Sequence, residues 1–312
     1  SSHTRQFEMI NAQVTHPSFV DILNGMSMLE NLVVCDLFID QTAMIKMKES
    51  KLKSLKKLVS SNSDWNLFKF LTKSKTQINT IKIATNVYGE ENKKIFEKFL
   101  AKQEKLEVLA VRVNQGQFYN SLKAALEEGC KFKLKKLAVD FKCWGDDPTV
   151  DQSFIDFLQH HLVTLEEFET KRNLSEKIVE FMMKKMKLKR LIINASHLPT
   201  TPLFYNALRP NLNLKTLVID GELDNFDVAR GLLHIYPSIE KLVIKSWENE
   251  ITNDVLVYIA HNLKQLKTLE IPTLTADTPE IPIPSLKSFH VDFVDDVTNW
   301  QTFLMNNSSL ET

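Results

Sequence analysis

The sequence predicts an α/β repeat array, with short parallel strands side by side on one face and helices on the other. Two observations predict it. Residues 188–193, LKRLII, return as LKTLVI at 214–219, IEKLVI at 239–244 and LKTLEI at 266–271. The segments between such copies carry the 3.6-residue apolar spacing of amphipathic helices.

The pattern L-x-x-L-x-L starts at Leu29, Leu55, Ile78, Leu106, Leu134, Leu165, Leu188, Leu214, Ile239, Leu266, Leu286 and Leu310. The spacings are 26, 23, 28, 28, 31, 23, 26, 25, 27, 20 and 24 residues, and a weaker copy begins at Thr4, with Phe7 and Met9 in the inward places. The linkers carry helical stripes such as Ile95, Phe96, Phe99 and Leu100, or Phe154, Phe157, Leu158 and Leu162. Start signals agree: Thr201 precedes Pro202, and Asp151, Ser175 and Thr252 stand where caps are needed. Pro237, after Leu232 and Leu233, marks a helix end. Between Leu266 and Leu286, Pro279, Pro282 and Pro284 forbid a helix and predict an extended segment. The surplus of the 31-residue repeat falls in the turn 143–150, which is expected to protrude.

Regular self-similarity allows the whole chain, 1–312, to be one elongated domain of 12–13 irregular repeats, because each repeat buries its core against its neighbours. Composition is that of a folded protein, with 43% hydrophobic and 25% charged residues. Lys plus Arg equals Asp plus Glu at 39 each, so no net field draws the chain to nucleic acid or an acidic membrane surface. Cys35, Cys130 and Cys143 lie too far apart for a disulfide framework or a paired zinc site, which suits a reducing compartment. No apolar run reaches the roughly 18 residues that cross a bilayer. The expected location is the cytoplasm or nucleus.

The residues that could carry chemistry do not assemble into a catalytic set. His160, His161, His234 and His261 each fall four or five residues before the next pattern leucine or isoleucine, where imidazole can meet the orphan carbonyls of a helix end. There is no H-x-x-x-H pair and no Cys pair to hold a metal. Nothing marks a Ser or Cys held by a base, and none of the seven glycines forms a phosphate loop. The basic runs 46–57 and 184–190 lack interleaved aromatics for stacking on bases. No enzyme activity, metal or cofactor is expected, and no nucleic acid or membrane partner.

Binding remains. Side chains alternate along a strand, so Leu188, Leu191 and Ile193 point into the coil while Arg190, Ile192 and Asn194 point outward. Stacked strands then give outward columns, the middle one running Val33, Val59, Lys82, Ala110, Ala138, Glu169, Ile192, Val218, Val243, Glu270 and His290. Small aliphatics flanked by charges match the apolar centre and polar rim of a protein interface. The expected contact residues are Arg112, Lys136, Asp140, Glu169, Lys171 and Arg190, with Val218 and Val243 as an apolar floor. Trp144 and Trp247, just past their strands, are the alternative anchors at the turn rim.

The strand copies, the intervening helices and a mean spacing near 26 residues fall in the 20–29 window of leucine-rich repeats. They resemble the ribonuclease-inhibitor-like and cysteine-containing types, although the place after the strand, usually Asn or Cys, holds residues such as Cys143, His197 and Thr275. The irregular repeats, as in LEEFETKRNLSEKIVEFMMKKM, look most like the substrate-receptor arrays of F-box/leucine-rich-repeat proteins. That resemblance implies a horseshoe with strands on the concave face and helices on the convex face. It also implies a target protein on the concave face or rim, and a Skp-type adaptor and cullin reached through an F-box not visible here. The chain is expected to be a fragment of a longer one. The alternative is an intracellular scaffold or inhibitor unrelated to ubiquitin.

Overall fold

The computed structural model describes residues 3–40, 52–62, 65–73, 76–85, 89–113, 118–141, 148–171, 174–195, 198–223, 225–247, 252–274, 282–294 and 297–310. The chain forms two compact units, Ser1–Thr164 and Leu165–Thr312. Both alternate parallel strands with helices, because a parallel neighbour can be reached only by a crossover that carries the chain back along the sheet.

In the first unit the order is β1 (Gln6–Ile10), β2 (Gln13–Thr15), α1 (His16–Asn24), β3 (Asn31–Cys35), β4 (Phe38–Asp40), β5 (Lys57–Ser61), α2 (Asn66–Thr72), β6 (Thr80–Thr85), α3 (Glu90–Ala101), β7 (Val108–Val113), α4 (Phe118–Glu127), β8 (Lys136–Phe141) and α5 (Pro148–His160). Strands β1, β3, β5, β6, β7 and β8 pair in parallel in that order, and β2 pairs with β4. The second unit continues with β9 (Glu167–Thr170), α6 (Glu176–Lys185), β10 (Arg190–Asn194), α7 (Pro202–Asn206), β11 (Thr216–Leu223), α8 (Phe226–Ile235), β12 (Lys241–Trp247), α9 (Thr252–Asn262), β13 (Thr268–Leu274), β14 (Ser288–Val294) and α10 (Val297–Asn306). Its strands also pair in parallel, in sequence order.

Each sequence pattern start from Thr4 to Leu286 is followed two residues later by the first residue of a strand. The pattern at Leu310 runs into residues outside the described set. Inward positions stack in level rows: Phe7, Leu32, Leu58, Ile81, Leu109 and Leu137 in the first unit, and Phe168, Leu191, Leu217, Leu242, Leu269 and Phe289 in the second. Most of these are fully buried, and each buried aliphatic is worth about 1.5–3 kcal/mol. At β14 the inward Phe289 and Val291 are only half-buried.

Both strand ends are fixed by backbone. The carbonyl of Glu30 accepts the N–H of Lys56 (2.8 Å) and of Lys57 (3.0 Å), and the carbonyl of Glu107 accepts those of Lys135 (2.8 Å) and Lys136 (3.0 Å). The same fork recurs in the second unit, where Glu240 accepts Lys267 (2.8 Å) and Thr268 (3.0 Å). After β1, β3 and β5 the chain turns through Asn11, Asp36 and Asn62 at φ 51°, 50° and 45°. Asn and Asp tolerate this left-handed region better than other side chains. Their N–H groups donate to Cys35, Ser61 and Ala84 of the next strand at 3.0, 2.8 and 2.7 Å.

The helices of the first unit pack through aromatics that hand over from one repeat to the next. Trp65 and Phe68 meet Phe96, Phe96 meets Phe118, and Tyr119 meets Phe154, with centroids 4.5–6.1 Å apart. Ser175 caps α6, accepting the N–H of Ile178 at 3.4 Å, and Thr201 precedes α7 with Pro202 in its first turn. Asp151 is not a cap: α5 already starts at Pro148, which puts Asp151 in the first turn, where its charge suits the helix dipole. Thr252 is the first residue of α9, not the residue before it. Pro237 follows the end of α8. Residues 282–285 are non-helical, while Pro279 and most of the proline-rich linker lie outside the described residues, as do 142–147 of the expected protruding turn. No described helix is long and apolar enough to cross a membrane.

Candidate functional site

Alternation along each strand leaves three outward rows on each unit's sheet. In the first unit the middle row runs level through Glu8, Val33, Val59, Lys82, Ala110 and Ala138. In the second it runs through Glu169, Ile192, Val218, Val243, Glu270 and His290. The sequence-predicted middle column is thus in register within each unit.

Arg112, Lys136 and Asp140 all lie on the outward side of the first sheet. Arg112 ends up level with Asp140, and its Nε reaches the Asp140 carboxylate at 3.2 Å. The guanidinium side chain is 69% exposed and the carboxylate 20%. Lys136 starts β8 two rows away from that pair, level with Val108.

In the second unit Glu169 and Arg190 are half-buried and Lys171, just past β9, is exposed. The Lys171 carbonyl accepts from Asn194 Nδ2 at 3.3 Å. Beside Asn194, Gly221 sits at φ 79°, where an added Cβ would come within 2.7 Å of the Asn194 side-chain oxygen. Asp220 in turn pairs with Lys245 at 3.4 Å. Val218 and Val243 lie level with each other in the middle row, and at 6% and 9% exposure they offer little fresh area to a partner. Trp247 is the last residue of β12, level with Leu223, and its side chain is outside the described set. Trp144 lies outside the described residues, as do Cys143, His197 and Thr275.

The row at the strand entrances is self-neutralising. Lys56 pairs with Glu30 (3.1 Å) and Lys135 with Glu107 (2.7 Å) in the first unit. In the second, Lys189 pairs with Glu166 (2.8 Å), and Glu240 takes both Lys215 (3.0 Å) and Lys267 (2.7 Å). Hydrogen bonds from Lys267 and then Lys215 hold the Glu240 carboxyl below its usual range.

Among the described residues no three metal-capable side chains cluster. His261 Nδ1 lies 2.8 Å from the Val257 carbonyl of its own helix, as a helix-end residue should. His161 departs from the expected helix-end role: it is fully buried, and its Nδ1 accepts the N–H of Leu134 at 3.3 Å. Burial, then the neighbouring charges of His160 and Lys133, push its pKa down to about 3. Cys130 is buried and its thiol is pushed up to about 11 by burial, which keeps it a protonated spectator.

Sequence reading missed two groups. Gln103 and Asn307 act as His161 does: Gln103 Oε1 accepts from Ile78 N at 2.9 Å and Asn307 Oδ1 from Ile283 N at 2.7 Å. Lys82 stands in the sequence-predicted middle column, but Lys57 counted there only as part of the basic run 46–57, although setting the pattern starts in rows places it on the same outward face. Comparison with models of known protein families gives no match, and neither does comparison with curated proteins.

Proposed function

We propose that the chain is a leucine-rich repeat horseshoe that recognises a protein partner, works in the cytoplasm or nucleus, and performs no chemistry of its own. The observation that carries this reading is the division of labour along the strands. Inward rows are mostly apolar from strand to strand, while outward rows differ in charge and size. A surface whose scaffold is repeated and whose outward residues vary is built to specify a partner.

The contact residues are Arg112, Lys136 and Asp140 in the first unit and Glu169, Lys171 and Arg190 in the second, over the Val218 and Val243 floor. Changing signs along these rows favour register over raw attraction. The likeness of residues 165–186 to F-box/leucine-rich-repeat receptors supports a place as the substrate-binding region of an SCF-type E3 ubiquitin ligase receptor.

The test is affinity purification of the tagged protein from its own cells, wild type beside a variant with Arg112, Lys171 and Arg190 all reversed to Glu. A Skp-type adaptor and cullin should accompany the full-length protein, and the target should be lost from the variant. A target retained by the variant removes the strand face as the recognition surface. Recovery of a target with no adaptor favours a scaffold or inhibitor.

A further inference from the structure

The neutral chain hides an uneven charge distribution. Residues 1–164 hold 23 Lys and Arg against 19 Asp and Glu, a net of +4, and residues 165–312 hold 16 against 20, a net of −4. On the first unit's sheet the excess has a shape. Lys57 of β5 is level with Thr80 of β6, and Lys82, two residues further along β6, is level with Ala110 of β7. Arg112 follows Ala110 by two residues in β7. The three cations therefore step diagonally, each one strand over and two residues along. With strands about 4.8 Å apart and about 3.3 Å of rise per residue, neighbours are about 8 Å apart, and the diagonal spans about 16 Å.

We propose that this diagonal seats an extended acidic segment of a protein partner, with Asp or Glu carboxylates set against Lys57, Lys82 and Arg112. The proposal rests on the reading of the strand face as the recognition surface and names its ligand class. An extended peptide presents same-side carboxylates about 6.6 Å apart, within reach of flexible lysines at this spacing. All three cations are exposed. They rise from short neighbours, Ala84, Ala110 and Thr80, so a peptide backbone can come close without displacing bulk.

The entrance row is the contrast. There Lys56 and Lys135 are already matched by Glu30 and Glu107 one strand away. Among the described residues the anion paired along the diagonal is Asp140, which engages Arg112 through Nε at the far end. A carboxylate of the partner would share or take over that guanidinium. Nucleic acid is the lesser fit for the same charges, because no aromatic side chain of β5, β6 or β7 faces outward there for a base to stack on.

The experiment titrates the protein into a fluorescent dodecapeptide of alternating Glu and Ala, read by anisotropy at low and at moderate salt. Peptides of alternating Gln and Ala and an oligouridine of equal length are the controls. The Glu peptide should bind best and weaken with salt, and Lys82→Glu should cost at least about tenfold in affinity, with Lys57→Glu and Arg112→Glu following. Lys82→Ala, a milder change at an exposed site, guards against misfolding and should weaken binding in the same direction with an unchanged melting curve. No binding, equal binding of the Gln peptide, unchanged affinity in the variants, or tighter binding of oligouridine each overturns the proposal. If the acidic peptide fails while reversal of Arg112, Lys171 and Arg190 still loses the cellular target, the acidic-segment assignment falls and the recognition reading stands. If that reversal leaves the target bound, the recognition reading itself falls.

Discussion

His161 Nδ1 accepts the backbone N–H of Leu134 at 3.3 Å, across 27 residues of sequence, and so joins the end of α5 to the start of the same repeat's strand, β8. An acceptor at Nδ1 places the ring proton on Nε2, which is buried and without a hydrogen-bond partner among the described residues. The ring stacks on Phe132 (5.4 Å) and meets Phe157 edge-on (4.6 Å). A second proton has no place there.

The consequence is a pH-dependent stability. The folded pKa is depressed to about 3, and an unfolded histidine titrates near about 6.5, so the unfolded chain binds more protons between those values. Stability is complete above the unfolded pKa and falls as pH drops toward the folded one. Between pH 7 and pH 5 the loss is expected to be about 2 kcal/mol, measured by urea unfolding. His161→Gln keeps an acceptor and should flatten that slope. A slope unchanged in His161→Gln would falsify the assignment.

Gly231 of α8 is the point where the helix touches the ring of Tyr205. An added Cβ would lie 2.5 Å from Tyr205 Cγ, and Tyr205 is 1% exposed with no room to retreat. Gly→Ala in a helix ordinarily gains up to about 1 kcal/mol, and overpacking costs about 1–3 kcal/mol. Gly231→Ala should therefore be destabilising on balance. In a Tyr205→Ala background the same change should turn stabilising, a reversal of sign that thermal unfolding of the four proteins reads directly.

Much of this frame is legible in the sequence, for a physical reason. The places of Leu191 and Ile193 are apolar in most coils because they face a core made of the same positions, so their spacing shows in one chain. The strands consequently start where the pattern says. His161 is legible as a helix-end residue but not as an acceptor, since its partner Leu134 is set by how two coils stack. Asp151 misleads because an acidic side chain suits both a cap and a first turn. Lys82 is legible as an outward residue from its place in the middle column, and the pairing of β5 with β6 then sets Lys57 one strand over and two residues back from it.

Asn62 tests the strand exits. At φ 45° it occupies the left-handed region, and its N–H donates to Ala84 at 2.7 Å. Asn62→Ala should cost about 1 kcal/mol, because alanine keeps the Cβ that crowds the left-handed region without the polar side chain that suits it, while Asn62→Gly should be near neutral. A similar order is expected at Asn11 and Asp36. Equal stability of the Ala and Gly variants in chemical unfolding would show that the turn relaxes without strain.

Gln103 separates the hydrogen bond from the titration. It does for Ile78 what His161 does for Leu134: Oε1 accepts the Ile78 N–H at 2.9 Å, and Nε2 donates to the Phe99 carbonyl at 3.3 Å, all within a site 1% exposed. Gln103→Leu matches the volume but strands a buried N–H, which costs about 1–3 kcal/mol. Unlike the His161 effect this loss should be the same at pH 5 and pH 7, because no group titrates in the bond. Gln103→His should restore the acceptor and import the pH slope to a second coil. If Gln103→Leu unfolds at the wild-type denaturant midpoint, the side-chain acceptors do not join the repeats, and the stability of each coil must come from its apolar rows alone.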